Sequence, residues 1–190
     1  MNTSITVFET RQRLKIDRER LLDFLKALGS PLPSFPLFYP SFLCVFLHRW
    51  SHYLFCGNHR RLARLVWHFN LIITGADMSP LSDLGEGLVI LHPAAVTLYG
   101  KAGKNLTLYA QGGLGAGIGR EDIGAGIGLP VLGDDVTLLP RAMILGPVRI
   151  GDQVQCGAGC VVTKNIPGRA VLFCGEPRIF QQQPSFRQAP

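Results

Sequence analysis

The sequence predicts a mainly β fold, a parallel β-helix of hexapeptide repeats preceded by an α-helical region. Two observations predict it. An aliphatic or small residue returns at every sixth place between Leu132 and Ile166, a period that neither a helix nor a plain strand requires. Composition also shifts along the chain, since most aromatic residues precede residue 75 while Gly and Pro concentrate after it. The expected division is a helical region over 1–75, a coil domain over 76–180 and a loose tail over 181–190, which has too few apolar residues to fold.

A chain of 190 residues has room for one core with a modest appendage. Its 47% hydrophobic and 17% charged residues suit a folded protein with large buried or self-associating surfaces. The net charge of +6 suits a partner with phosphates, an acidic polymer or an anionic membrane surface, and says nothing about a reaction. Five Cys without paired spacing point to a reducing cytosol rather than a disulfide framework. The polar opening residues, leading into RQRLKIDRERL, are not a secretory signal, so the expected location is cytoplasmic.

Within the first region, ETRQRLKIDRERLLDFLKAL reads as an amphipathic helix that caps the coil stack or meets a partner. The next segment, FPLFYPSFLCVFLHRWSHYLF, has an uninterrupted apolar run over 42–47. That is far short of the roughly 20 residues a spanning helix needs. His48, Arg49 and His52 interrupt the remainder of the segment, and a buried helix is expected. HRRLARLVWHF mixes basic and aromatic residues as interfacial helices do, which leaves peripheral membrane contact open. The plainer expectation is a helix packed on its neighbour with a solvated basic face.

From Leu132 the chain divides into LGDDVT, LLPRAM, ILGPVR, IGDQVQ, CGAGCV and VTKNIP, with the first and fifth places apolar throughout. Gly, Asp, Asn and Pro gather at the second to fourth places, where a tight corner needs them. Each six is therefore a short strand and a corner. Three such sides close a triangular coil of about 18 residues, and stacked coils bury the first and fifth places in a central column. The same phase continues upstream as LGEGLV, ILHPAA, VTLYGK, AGKNLT and LYAQGG.

Between the two runs the pattern lapses. Over about 114–131, LGAGIGREDIGAGIGLPV keeps the phase but puts Arg120 and Gly126 where large apolar residues belong, so a Gly-rich loop extruded from the coil is expected. It lacks the Lys-Ser or Lys-Thr ending of a P-loop. Loops that project from a rigid scaffold are common places for function. Cys156 and Cys160 fall on core-facing places, where Cys packs as a small hydrophobe.

His92 is the only His of the repeat region, and a zinc centre needs about three converging ligands, so no metal is expected. Asp77 lies fifteen residues before His92, which places the two one layer apart and a few residues out of register. A carboxylate so placed can hold an imidazole in one tautomer and leave its other nitrogen to take a proton.

The segments GADMSPLSDLGEGLVILHPAAVTLYG and GAGCVVTKNIPGRAVLFCGEPRI, with the Gly-rich loop between them, resemble the serine acetyltransferase family of hexapeptide-repeat acyltransferases. FLCVFLHRWSHYLFCGNHRRLARLVWHFN resembles that family's two helices before the first coil, so the likeness covers roughly residues 36–180. The resemblance implies a left-handed coil, an exception to the usual crossover rule. It implies acetyl transfer from acetyl-CoA to a hydroxyl, with His92 as general base, Asp77 as its partner and backbone amides at the oxyanion. It further implies a homotrimer with acetyl-CoA along the groove between subunits. Gly157, Ala158, Lys164 and Arg178 are the candidates for the edge of that groove, the two cations because they could meet CoA phosphates. Nucleic acid is not an expected partner.

The departures bear on the acceptor. The family commonly has an acidic residue just before the catalytic His, where this chain has Leu91. Gly128-Leu129-Pro130 stands where the family has an Arg-His-Pro stretch that helps to hold an amino acid, and SFPLFYP offers no acidic counterpart upstream. An amino acid needs a paired charge at both ends. On sequence alone, a sugar, polysaccharide or small alcohol is therefore the leading acceptor. L-serine and an inactive trimeric scaffold are the alternatives. The chain end PSFRQAP lacks the terminal Ile by which the family docks cysteine synthase, so that partner is not expected.

Overall fold

The structure, a computed structural model, describes residues 5–175. Arg178 and the expected tail lie outside the described residues. Three helices come first: α1 (Val7–Ala27), α2 (Pro40–Cys56) and α3 (Arg60–Thr74), with a 3-10 turn at Pro36–Phe38 between the first two. Local chemistry sets their ends. Thr6 and Glu9 exchange hydrogen bonds in a capping box that opens α1. Pro40 opens α2 at a position that needs no N–H. Gly75, at φ 74°, closes α3 in the left-handed conformation that a side chain resists.

The rest of the described chain winds through short strands that return to three parallel sheets in turn. The first sheet stacks β1 (Asp77–Met78), β4 (Thr97–Leu98), β7 (Gly113–Gly115), β10 (Met143–Leu145) and β13 (Val161–Val162). The second holds β2 (Asp83–Leu84), β5 (Lys101–Ala102), β8 (Val131–Leu132) and β11 (Arg149–Ile150). The third holds β3 (Val89–Ile90), β6 (Thr107–Leu108), β9 (Thr137–Leu138), β12 (Gln155–Cys156) and β14 (Val171–Leu172).

Downstream of Leu132 the hexapeptide reading holds at every unit. Leu132, Leu138, Ile144, Ile150, Cys156 and Val162 are buried, as are Val136, Ala142, Val148, Val154, Cys160 and Ile166. The polar corners interlock between layers. Asp134 accepts a hydrogen bond from Lys104 N at 2.7 Å, and Asp152 accepts one from Asp134 N at 2.8 Å. A Cβ on Gly133 would sit 2.0 Å from Asp152 Oδ1, so the carboxylate's path requires glycine there.

Upstream the reading needs a correction. ILHPAA and VTLYGK put Ala94 in the core, but Ala94 is exposed and Leu98 fills the column instead. The corner after β3, carrying His92 to Ala95, is two residues longer than its neighbours, and the side from Leu98 to Ala102 is correspondingly shorter. Gly100 makes the short side feasible, since a Cβ there would lie 2.8 Å from the Pro130 carbonyl. The six-residue phase therefore breaks at His92, and the enlarged corner displays it.

The helices clasp the first coils. Leu14, Leu21 and Leu25 of α1 pack with Phe42, Val89 and Leu91. Arg20 donates to the Gly87 carbonyl at 2.5 Å and to Thr107 Oγ1 at 2.8 Å. At the centre, Arg49 donates to both Asp17 oxygens at 2.9 and 3.1 Å and to the carbonyls of Leu84 and Gly85. Leu88 N donates to the same Asp17 carboxylate at 2.8 Å. The polar residues that interrupt the apolar run of α2 are thus buried against the coil, as His48, Arg49 and His52 show. Among the described residues, no helix is long and apolar enough to cross a membrane.

The α3 surface differs from expectation. Ala63, Asn70 and Thr74 face inward, while Leu62, Leu65, Phe69, Ile72 and Ile73 are exposed. The small inward residues let α3 approach α2 closely, with Asn70 donating to the Cys44 carbonyl at 2.9 Å. The larger apolar residues are thereby left on the outside beside the expected basic ones.

The buried histidines give an acid sensitivity. Neither ring nitrogen of His48 has a hydrogen-bond partner among the described residues. Burial, and then the neighbouring charges of His52 and Arg49, hold its pKa well below the ordinary value. Burial also lowers that of His52, against the opposing effects of its Pro80 carbonyl contact and Asp83. Unfolding releases both rings to titrate near pH 6.5. The unfolded chain then binds more protons below that pH, so this stability is complete above it and is lost as the pH falls. Stability to urea is expected to fall below about pH 6.5 by up to roughly 1.4 kcal/mol per pH unit for each ring. The His48→Phe variant should show a shallower acid slope, and an unchanged slope would remove His48 from the account.

Candidate active site

His92 lies on the enlarged corner between β3 and β4, exposed and at φ 58°. The flanking backbone is fixed: Leu91 N donates to the Leu108 carbonyl at 2.8 Å, and Ala95 N to the Gly75 carbonyl at 2.9 Å. The imidazole is therefore open to an incoming molecule while its backbone is held on both sides. Asp77 stands on β1, the strand that β4 pairs with, opposite Thr97. The two expected partners thus occupy neighbouring rungs of one edge.

No hydrogen bond between Asp77 and His92 accompanies that proximity among the described residues. Asp77 instead accepts hydrogen bonds from Trp67 Nε1 at 2.9 Å and from Tyr99 OH at 3.1 and 3.2 Å. Burial, and then the Asp77 charge and the hydrogen bond to it, push the Tyr99 hydroxyl up to about 12. Tyr99 is accordingly a neutral donor at neutral pH. The Trp67 ring meets Tyr99 edge-on, with centroids 6.4 Å apart, and stacks on His68 at 5.1 Å.

Sequence reasoning missed Trp67 and Tyr99. A signal was present in part, because Tyr99 lies two residues past the rung of Asp77 and a partly buried indole N–H needs an acceptor. Only the helix packing shows that Trp67 reaches that acceptor.

Gly157 and Ala158 sit on the corner that follows β12, in the same column of corners as His92. That is three rungs along the third sheet, roughly 14 Å at the usual strand spacing. Gly157 is buried and its N–H already serves the coil, donating to the Leu172 carbonyl at 2.8 Å. A Cβ there would lie 2.6 Å from that oxygen, so glycine is required by close packing. Ala158 and Lys164 are exposed. Lys164 lines a groove with Cys160, Val161, Thr163, Leu172, Phe173 and Cys174. Of these candidates Gly157 and Ala158 share the His92 edge, whereas Lys164 follows β13 towards the second sheet, where Ile166 bridges to Ile150.

The departures acquire physical reasons. Leu91 belongs to the apolar cluster under α1, which covers the position where an acid would otherwise stand. Gly128, at φ 72°, donates to the Glu121 carbonyl at 2.8 Å, and a Cβ there would meet the Gly119 oxygen at 2.7 Å. The loop between β7 and β8 closes on itself through Asp122, which accepts from Gly124 N and Gly126 N at 2.8 and 3.0 Å. It leaves the coil at the edge between the first and second sheets, away from the edge that carries His92. Among the described residues, no group of three or more His, Cys, Asp or Glu could hold a metal ion.

No protein-family model matches the chain. It is 34% identical over 151 residues to the serine acetyltransferase of Mycobacterium tuberculosis, covering 77% of this chain and 64% of that protein. To the serine acetyltransferase of Staphylococcus epidermidis it is 30% identical over 147 residues, covering 76% of this chain and 67% of that one. The crystal structure of Neisseria gonorrhoeae serine acetyltransferase superposes with a TM-score of 0.79 at 26% identity, covering 90% of this chain and 66% of that one. The same protein in complex with serine gives a TM-score of 0.75 at 25% identity, covering 90% and 68%. The chain spans less than two thirds of the length of the Mycobacterium tuberculosis relative. Repeat, helices and three-sheet coil agree with these likenesses, and the chain belongs to the serine acetyltransferase family, whose fold is the left-handed parallel β-helix.

Proposed function

We propose that this chain is an acetyl-CoA-dependent O-acetyltransferase that acts on L-serine. The observation that carries the reading is an open imidazole on an enlarged corner, one rung from a carboxylate held by Trp67 and Tyr99, in a chain of this family. In the reaction, His92 takes the proton of the acceptor hydroxyl as its oxygen attacks the thioester carbonyl. The new C–O bond forms, the C–S bond breaks, and the protonated imidazole returns its proton to the departing thiolate. Asp77 stabilises the imidazolium through its negative charge without itself taking the proton. Ala158 lies along the donor's path and Gly157 contributes shape, while Lys164 meets the donor's phosphates from the groove it shares with Cys160.

The acceptor is where sequence and relatives pull apart. Leu91 and Gly128-Leu129-Pro130 favour a sugar, polysaccharide or small alcohol. The relatives favour L-serine, since those reported are serine acetyltransferases and one has been determined in complex with serine. L-serine is therefore the reading adopted. Turnover of acetyl-CoA against L-serine and a panel of sugars and simple alcohols separates them, and efficient use of a sugar with L-serine inert would reverse the choice.

A homotrimer is part of the proposal. His92 and the loop lie at different edges of one coil, and a threefold arrangement can set the His92 edge of one chain beside the loop of the next. The exposed Val161, Val171 and Phe173 supply apolar surface for such packing. Light scattering should give the trimer mass, and a hexamer or a monomer would count against it. A cytoplasmic location accompanies the reading.

A further inference from the structure

We infer that Cys160 and Cys174 form a reversible redox pair that takes a low-molecular-weight thiol disulfide as oxidant and regulates the donor groove. The pair itself stands on geometry alone, and its regulatory effect rests on the donor edge proposed above.

Cys160 Sγ and Cys174 Sγ are 3.3 Å apart. A disulfide needs roughly 2.05 Å, a closure of about 1.3 Å that side-chain rotation can supply when the backbones are already adjacent. The segments that carry them are paired: β12 lies against β14 with Cys156 opposite Leu172, and Gly157 N donates to the Leu172 carbonyl at 2.8 Å. A Cβ on Gly157 would lie 3.6 Å from Cys160 Sγ, and one on Gly159 3.8 Å from Cys174 Sγ, so both thiols sit on the Gly157 corner.

The two cysteines differ in the way a stepwise exchange requires. Cys174 is exposed and can meet an oxidant, whereas Cys160 is buried and holds Cys174 as its hydrogen-bonded thiol neighbour. Burial, and then the neighbouring Cys174 thiol, raise the pKa of Cys160, which suits a resolving thiol better than an attacking one. The other cysteines are placed differently. Cys44 and Cys156 are wholly buried, and Cys56 lies on α2 with its sulfur 3.6 Å from His52 Nε2. Cys156 thus packs in the core as the repeat predicts, while Cys160 also touches a second thiol.

The exchange balances. The Cys174 thiolate attacks one sulfur of the oxidant, the oxidant's S–S bond breaks, and one small thiol leaves. Cys160 gives up its proton and its sulfur attacks Cys174 Sγ, releasing the second small thiol. Two protein thiols and one small disulfide thus become one protein disulfide and two small thiols, and excess thiol reverses the reaction.

The regulatory consequence depends on where the pair lies. Val161, Thr163 and Lys164 form one wall of the groove and Leu172, Phe173 and Cys174 the other, with Cys160 between them. Linking Cys160 to Cys174 draws the second wall inward and narrows the space in front of Lys164. The oxidised chain should therefore bind CoA several-fold more weakly.

The test uses the full chain, incubated with oxidised glutathione, with free thiols then alkylated and peptides mapped without reduction. A peptide linking Cys160 to Cys174 with two hydrogens lost, reversed by dithiothreitol, is the expected result. A stable glutathione adduct on Cys174 with Cys160 alkylated, a bond to another cysteine, or no oxidation would overturn the pair. Calorimetric titration of CoA into reduced and oxidised chain reads the regulatory effect, with Cys174→Ser expected to bind CoA equally under both conditions. A linked peptide with unchanged CoA affinity overturns the regulation. Reduced chain that binds no CoA refutes the donor reading and the regulation with it, while the peptide map still decides the pair.

Discussion

The His92→Asn variant is expected to lose about 10²- to 10⁴-fold in acetyl transfer, the usual range for removing a positioned general base. Asparagine is chosen because position 92 sits at φ 58°, where asparagine is tolerated and a conventional alanine would add backbone strain. Leu91 N and Ala95 N keep their bonds to Leu108 and Gly75 in either variant, so the corner should stay folded. Thermal unfolding close to that of the parent, with turnover largely gone, is the expected outcome. Loss below ten-fold would mean that another group removes the proton, and the corner would then be structural.

The largest expected stability effect belongs to Asp17→Ala. Asp17 and Arg49 are essentially inaccessible to solvent, with side-chain exposures of 0% and 1%, and the carboxylate also receives Leu88 N. The substitution leaves a guanidinium buried without its countercharge and a backbone N–H without its acceptor. Breaking a buried pair in this way costs about 3–5 kcal/mol, visible as an earlier urea midpoint. Replacing both partners with apolar residues, as in Asp17→Leu with Arg49→Met, should recover part of the loss because no orphaned charge remains. A double variant no more stable than Asp17→Ala would show that the carbonyl contacts of Arg49 to Leu84 and Gly85 hold the helices as firmly as the ion pair.

The coil downstream of Leu132 was legible because its two signals are local. One apolar residue per side fills the column, and each corner needs Gly, Asp or Asn, so every six residues carry the whole instruction. Around His92 that logic fails for a physical reason. An enlarged corner and a shortened side cancel in length, so the phase resumes and hides the slip from any count by sixes. The Gly-rich loop was legible as an interruption, but its exit edge depends on which sheet each strand joins. The clasp of Asp17 and Arg49 was not legible at all. Arg49 read only as a break in the apolar run of a buried helix and Asp17 as one residue of an amphipathic helix, and only the coil backbone, offering Leu88 N and the Leu84 carbonyl, brings them together. Trp67 and Tyr99 were hidden in the same way, since their meeting at Asp77 depends on where α3 lies against the first coils.

Both departures from the family pattern have structural causes of their own. Leu91 looked like the loss of an acceptor contact, yet it is also what the apolar cluster under α1 demands. Gly128 looked like a missing charge, yet the loop backbone leaves no room there for a side chain. Packing accounts for both residues without reference to the acceptor, which is why the relatives weigh more heavily on that question.

The most direct test is to incubate the purified chain with acetyl-CoA and L-serine and follow the amino acid by mass spectrometry. The expected result is sustained formation of serine carrying one acetyl group on oxygen, in step with release of free CoA thiol and abolished in His92→Asn. If serine is unmodified while acetyl-CoA is consumed against a sugar or alcohol, the chemistry stands and the L-serine assignment is wrong. If acetyl-CoA is left intact with every acceptor, the chain is a scaffold and the proposed activity fails.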